Sequence, residues 1–306
     1  MADVVLNTIS KTYNKGSIPA VKDVSFSVEK GEIFGLIGPD GAGKTSLFRI
    51  LTTLLLPDAG KATVNNWDVV TDYKSIRNHV GYMPGRFSLY PDLTVEENLN
   101  FFATIFNTSI QENYHLIKDI YIQLEPFKER RAGKLSGGMK QKLALCCALI
   151  HKPLVLFLDE PTTGVDPVSR KEFWLMLQRL KAQNITIIVS TPYMDEATLC
   201  DRIALIQQGE ILSIDTPDKI SNNFKGGLYA IKCTNTPAML SILLNFPGLI
   251  NRYAFGETVH VVLEQQSNAI ATLITFLESN GYSNQEITQI PATIEDCFIQ
   301  LNQQSA

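Results

Sequence analysis

The chain has 306 residues, more than one average domain, and its 45% hydrophobic content is enough for a sizeable core. Lys and Arg number 27 against 31 Asp and Glu, so the net charge of −4 gives no global attraction to nucleic acid or to an anionic membrane surface. Five cysteines, with Cys146 and Cys147 inside the apolar run LALCCALI and no zinc-type CxxC spacing, fit reduced, buried thiols rather than a disulfide framework. The opening MADVVLNTISKTY has neither the charge nor the apolar length of a leader, and no uncharged apolar run approaches the roughly 18 residues of a spanning helix. The expectation is a cytoplasmic protein, or one held on the cytoplasmic face of a membrane through a partner.

Residues 3–10 and 21–29 alternate apolar and polar side chains, as half-buried strands do, with turn residues in KGSIPA between them. Tyr13 falls in that first loop, where an aromatic either stacks on a base or simply packs. The stretch GEIFGLIGPDGAGKTSLFRILT follows. Ile33 to Ile37 reads as a buried strand, Gly38, Gly43, Lys44 and Thr45 fill the frame G-x-x-x-x-G-K-[ST], and Ser46 to Thr52 reads as helix. Glycine at 38, 41 and 43 allows the backbone to approach an anion closely, so that successive N–H groups of the loop Gly38, Asp40, Gly41, Ala42 and Gly43, and of Ser46, face phosphate with the positive end of the helix, while Pro39 has no N–H to give. Lys44 would neutralise β- and γ-phosphates, and the Thr45 hydroxyl would hold Mg²⁺.

After the cradle, LPDAGKATVNNWDV reads as turn, strand and turn, and VGYMP as a short strand leading into a loop. Thr94 with Glu97 forms a capping box, and the periodicity is helical from about 94 to 152, an insert before the next strand. Phe87, Leu89 and Tyr90 in the loop from Gly81 to Leu93 read as an exposed apolar cluster, either an interface or packing under the insert. Ser136, Gly137 and Gly138 precede a long helix, which is either an ordinary N-cap with a tight turn or a second anion-binding helix end. Leu154 to Leu158 reads as a buried strand ending in Asp159 and Glu160. Carboxylates at the C-terminal end of a parallel strand stand where α/β sheets place their chemistry, so Asp159 is the candidate metal ligand and Glu160 the candidate base for an attacking water.

ITIIVST repeats the buried-strand design, and DRIALIQQGEILSID reads as a hairpin turning at Gln208-Gly209. Pro, Asn and Gly punctuation in TPDKISNNFKGGLY marks a boundary near 220, giving a domain of 1–220 and an accessory domain of 221–306. The second is expected to be a small α+β unit of two to four strands and two or three helices. Its three Lys or Arg against six Asp or Glu argue against a nucleic-acid arm.

GPDGAGKT, LSGGMKQ and LVLFLDEPTTGVDP, in this order and spacing, resemble the ATP-binding subunits of ABC transporters over residues 3–220. The tail PATIEDCFIQL is similar to the accessory domain of multidrug and ABC-2 type exporter subunits. The resemblance implies an α/β P-loop NTPase fold with an antiparallel β subdomain, a helical insert and the small C-terminal domain. It implies ATP and Mg²⁺ as ligands, Tyr13 on the adenine, Gly38 to Ser46 on the phosphates, Thr45 and Asp159 on Mg²⁺, and Glu160 in catalysis. Ser136, Gly137, Gly138 and Gln141 would act on the ATP of a second subunit, and Gly164, Val165 and Asp166 would form a dimer contact. The implied partners are a membrane permease and a homodimer or heterodimer mate arranged head to tail, with no nucleic acid.

Two positions depart from the pattern. Gly85 stands where the family has glutamine, and Pro192 where it has a switch histidine; glycine offers no side-chain oxygen, and proline neither an imidazole nor an N–H. Tyr193 is a candidate substitute. The rival readings are therefore a non-transport ATPase of the same fold, which would carry a second cassette or a coiled-coil insert, and a subunit that binds nucleotide without turning it over.

Overall fold

In a computed structural model that describes residues 2–13, 18–86, 88–264, 268–283 and 285–304, the first two strands, β1 (Ala2–Tyr13) and β2 (Ile18–Glu29), pair antiparallel. Their alternation buries Val4, Leu6 and Ile9 with Val24, Phe26 and Val28 on a common face. Ile18, Pro19 and Ala20, expected as turn, belong to β2. The proline is tolerated because β2 is the edge of this sheet, where no ladder donor is required of it. β3 (Ile33–Ile37) is buried at all five positions, as a parallel strand covered on both faces should be.

The helix α1 (Lys44–Leu51) packs Leu47, Phe48, Ile50 and Leu51 into the core shared by the two sheets of this unit. Phe48 meets Phe157 edge-on at 5.8 Å, and Phe26 stacks on Phe34 at 5.1 Å. β4 (Ala59–Val64) and β5 (Trp67–Asp68) complete the antiparallel sheet in the order β2-β1-β4-β5. α2 (Tyr73–His79) has no counterpart in the sequence reading, because a seven-residue helix with Ile76 as its buried position shows no period.

The second sheet has the order β10-β9-β3-β8-β7-β6, built from β6 (Val80–Met83), β7 (Val155–Asp159), β8 (Thr186–Thr191), β9 (Arg202–Gln207) and β10 (Glu210–Asp215). All are parallel to β3 except β10, which returns through Gln208 and Gly209, both at positive φ as a two-residue hairpin turn demands.

Between β6 and β7 lie α3 (Val95–Ile105), α4 (Ile110–Tyr121) and α5 (Gly137–Leu149). Capping boxes start α3 at Thr94 with Glu97 and α4 at Ser109 with Glu112. Fully buried Asn98 exchanges hydrogen bonds with the Tyr90 backbone (3.0 and 3.1 Å) and donates to the Thr94 carbonyl (2.9 Å), which pins the loop ahead of α3. That loop corrects one expectation. Leu89 is buried at 6% exposure rather than displayed; Tyr90 is exposed and lies edge-on to Phe101, and Phe87 lies outside the described residues. α6 (Pro167–Ala182) connects β7 to β8.

The chain divides into two compact units, Met1–Pro217 and Asp218–Ala306, and the expected boundary at 220 falls inside α7 (Pro217–Asn222). The second unit runs β11 (Gly227–Lys232), α8 (Thr236–Leu243), β12 (Leu249–Phe255), β13 (Thr258–Leu263), α9 (Ala269–Ser279) and β14 (Glu286–Gln289). This is the split β-α-β-β-α-β arrangement, with sheet order β12-β13-β11-β14. Helix α10 (Ile294–Gln304) is anchored by fully buried Asp296. Its Oδ1 lies 2.7 Å from His260 Nδ1 and accepts the Tyr253 hydroxyl at 2.8 Å, while Oδ2 takes the Thr293 N–H at 2.8 Å.

Candidate active site

The loop between β3 and α1 is fixed by backbone that admits no side chain at two points. A Cβ on Gly38 would stand 2.2 Å from the Ile206 carbonyl, and one on Gly43, at φ 106°, 2.3 Å from the Ala20 carbonyl. The α1 N-terminus therefore opens onto a bare peptide loop. Lys44 is 3% exposed; its Nζ donates to the Gly38 and Pro39 carbonyls at 2.8 and 3.0 Å and lies 3.2 Å from Glu160 Oε1. Tyr13 reaches this helix end too, its hydroxyl 3.1 Å from Ser46 Oγ.

The carboxylates come from the C-terminal end of β7, which lies parallel to β3 with β8 between them. Asp159, 3% exposed at the end of β7, accepts the Ser190 hydroxyl from β8 at 2.5 Å. The Glu160 N–H donates to the Ser190 carbonyl at 3.0 Å, and this turn puts Glu160 at φ 50°. A side-chain-bearing residue held in that left-handed region costs about 1–3 kcal/mol and is typical of positions that a site over-determines. Ser190 carried no signal in the sequence reading because a serine in a buried strand looks like filler.

Thr45, Arg49, Tyr82, Pro84, Gly85, Arg86, Asp159 and Glu160 line a cavity of about 470 Å³ beside the cradle. Burial and the nearby Asp159 charge push the Tyr82 hydroxyl up to about 12, against an opposing pull from Arg49. The Thr45 hydroxyl and the Asp159 carboxylate give this cavity hard oxygen donors, which suit Mg²⁺, an ion that takes one or two protein ligands and completes its shell with water and phosphate oxygens. Among the described residues no group of three or more His, Cys, Asp or Glu forms an all-protein metal cage.

The two departures from the family pattern look different in space. Gly85 borders the cavity, and a Cβ there would sit 3.1 Å from the Asp159 carbonyl. Pro192 and Tyr193 do not line it. Tyr193 lies under the Arg170 guanidinium, 4.3 Å from its ring centre, so it packs rather than replacing the missing imidazole. Arg170 in turn pairs with Glu196, 2% exposed, which also accepts the Thr162 and Thr191 hydroxyls at 2.8 and 2.7 Å. Glu196 thus ties the turn after β7 to the end of β8 and to α6, a role that its sequence neighbours MDEAT gave no reason to assign.

The other helix end stands apart. Ser136 is the N-cap of α5, its hydroxyl accepting the Met139 N–H at 3.3 Å. A Cβ on Gly138 would meet Ser169 Oγ at 2.8 Å and one on Gly137 the Gly164 carbonyl at 3.4 Å, so this end packs against the Gly164-Val165-Asp166 turn. Asp166 caps α6 through the Ser169 N–H at 3.0 Å, and that bond holds its carboxyl below the usual range. Half-buried Gln141 sits one turn into α5, and none of Ser136 to Gln141 lines the cavity at the cradle.

A phosphate cradle at a helix N-terminus, two carboxylates at the C-terminal end of the parallel strand β7 and a helical insert between them define a P-loop ATPase cassette. The ABC transporter family profile matches residues 21–163. The chain is 33% identical over 309 residues to the Nod factor export ATP-binding protein I of Bradyrhizobium diazoefficiens, covering 98% of this chain and 97% of that one. It is 36% identical over 304 residues to the probable multidrug ABC transporter ATP-binding protein YbhF of Escherichia coli K12, and spans about half (52%) of that relative's length. The dimeric ATP-binding cassette MJ0796, solved with ADP and Pi, superposes with a TM-score of 0.63 at 26% identity over 70% of this chain and 98% of that one. The chain belongs to the ABC transporter ATP-binding family.

Proposed function

We propose that this chain is the ATP-hydrolysing motor subunit of an exporter whose membrane permease is a separate polypeptide, and that it works as a head-to-tail dimer with a second copy or a related subunit. The observation that carries the reading is the convergence of Lys44, Thr45, Asp159 and Glu160, from the start of α1 and the end of β7, on one site, with Lys44 and Glu160 3.2 Å apart. Bound phosphates offer Lys44 better partners than two peptide carbonyls, and its move to them frees the Glu160 carboxylate to take a proton from the attacking water. Mg²⁺ on Thr45 and Asp159 would supply neutralising charge to the β- and γ-phosphate oxygens. Tyr13, next to Ser46, is positioned to border the nucleotide. Ser136, Gly137, Gly138 and Gln141, remote from this chain's own cavity, would face the γ-phosphate of the other subunit, with Gly164 to Asp166 at the contact.

No helix among the described residues is long and apolar enough to cross a membrane; in the proposed function the membrane part belongs to the separate permease. Tyr82 borders the active-site cavity and also a groove of about 320 Å³ lined by Leu54, Met83, Ser88, Leu89 and Phe102. Leu54, which lines this groove, is exposed, as are Tyr90 and Ile105. A short amphipathic helix of the permease docked there would press on Tyr82, which borders both groove and site. A photo-crosslinker placed at Ser88 should yield an adduct with a co-purifying polytopic membrane protein; a crosslinker that captures none when such a protein is present removes this docking surface from the account.

The losses at Gly85 and Pro192 favour a second reading, binding without turnover. Lys44, Asp159 and Glu160 supply the charge stabilisation and the base, and a lost positioning contact typically costs on the order of a hundredfold, far less than the whole acceleration. We expect slow but measurable hydrolysis. Gly85→Gln combined with Pro192→His should raise turnover more than either change alone, because both groups would act on one γ-phosphate. The 3.1 Å approach of a Cβ at 85 to the Asp159 carbonyl means the loop must give by a few tenths of an ångström in the Gln variant. Equal rates in wild type and the double variant would show that positioning is not what limits the chain.

A further inference from the structure

We propose that Arg86 is a catalytic residue of this ATPase, an arginine in cis that contacts the transferring γ-phosphoryl group where the family's glutamine is missing. The inference rests on the hydrolytic reading above. Three observations carry it. First, residue 85 lies directly on the catalytic turn, since a Cβ there would be 3.1 Å from the Asp159 carbonyl and 3.8 Å from Glu160 Cβ; the next residue therefore starts from the rim of the site. Second, Arg86 lines the same cavity as Thr45, Asp159 and Glu160.

Third, Arg86 has no competing commitment. Among the described residues it makes no hydrogen bond or ion pair, whereas the other cations near the site are engaged: Lys44 by two carbonyls and Glu160, and Arg49 by the Tyr82 hydroxyl. An exposed guanidinium with no hydrogen bond or ion pair among the described residues, lining one cavity with two carboxylates and Thr45 of the cradle, is a permanently charged fork of five donors suited to phosphoryl oxygens. Glutamine positions a water through a neutral amide. Arginine cannot accept the water's proton, so its action would be on charge.

In the step itself the water oxygen bonds to the γ-phosphorus, Glu160 takes the water proton, and the bond from the γ-phosphorus to the β–γ bridging oxygen breaks with its electron pair passing to ADP. Arg86 would donate two N–H groups to the equatorial and leaving oxygens, where negative charge accumulates. Arginines that act in this way are worth about 10³–10⁵ in kcat, and an exposed one on a loop belongs at or below the lower end.

The test compares wild type with Arg86→Ala and Arg86→Lys in three readouts: ATP affinity, affinity for ADP with aluminium fluoride as a mimic of the transferring group, and phosphate release. Arg86→Ala should lower kcat by about a hundredfold or more and weaken ADP–aluminium fluoride binding in parallel, with ATP affinity within threefold. Added guanidinium ion should restore part of the rate, and Arg86→Lys should recover less than half of the loss. Unchanged aluminium fluoride affinity overturns the proposal, as does a loss of ATP affinity as large as the loss of rate. An effect of Arg86→Ala seen only when the permease is present, with the mimic bound normally, makes Arg86 a partner contact and likewise overturns it. If wild type releases no phosphate above a Glu160→Gln control, the hydrolytic reading fails on its own, and the aluminium fluoride affinity of Arg86→Ala still decides the role of Arg86.

Discussion

Lys44→Ala should lower ATP affinity by at least about a hundredfold, some 2.7 kcal/mol, without unfolding the chain. The side chain is 3% exposed and contributes the full positive charge at the mouth of the cradle, where the other donors are peptide N–H groups. Its present partners are the Gly38 and Pro39 carbonyls and Glu160, which is partly exposed, so truncation frees groups that water can reach in part and costs about 1–2 kcal/mol of stability. Calorimetric titration with Mg-ATP, beside a thermal melt of the same sample, separates the two effects. Wild-type affinity in a folded variant would mean that Lys44 does not face the phosphates.

The second large effect belongs to Glu160→Gln. Glutamine keeps the size, the hydrogen-bonding shape and the same left-handed backbone penalty at φ 50°, and removes the proton acceptor. ATP affinity should stay within threefold, or rise, because a carboxylate no longer competes for Lys44. With ATP held and not consumed, two chains should remain closed around two nucleotides. Size-exclusion chromatography in Mg-ATP is expected to show a dimer for Glu160→Gln and a monomer for Lys44→Ala. A Glu160→Gln variant that stays monomeric at saturating ATP would remove the main support for the head-to-tail arrangement, in which Ser136 to Gln141 complete the partner's site.

Much of this was legible before any coordinates. The strand–loop–helix at 33–51 declares itself through a fully apolar run, three glycines and a Lys-Thr pair, because a phosphate cradle needs bare backbone and a helix start and few other sequences provide both. The carboxylates at 159 and 160 are visible for a similar reason, an apolar strand that ends abruptly in charge. What stayed hidden depends on partners distant in sequence. Ser190 matters because Asp159 is one strand away, and Glu196 because Thr162, Thr191 and Arg170 converge on it; none of these pairings has a local signature.

The loop before α3 shows the opposite failure. Its apolar residues looked alike in sequence, yet Asn98 folds the chain so that Leu89 is buried while Tyr90 is exposed. Arg86 carries no local signature, since a single arginine in a loop is ordinary; only the cavity it shares with Asp159 and Glu160 distinguishes it.

Lys44 lies 3.2 Å from Glu160, which lines the cavity, and in the proposed function these two form the working pair of an ATPase. Single-turnover phosphate release from Mg-ATP, measured for wild type and for Glu160→Gln at nucleotide concentrations that saturate both, tests it most directly. General-base removal typically costs about 10²–10⁴ in rate, so wild type should release phosphate at least a hundredfold faster than the variant. Indistinguishable rates, with nucleotide shown to be bound in both, would contradict the claim and leave a chain that holds ATP without hydrolysing it.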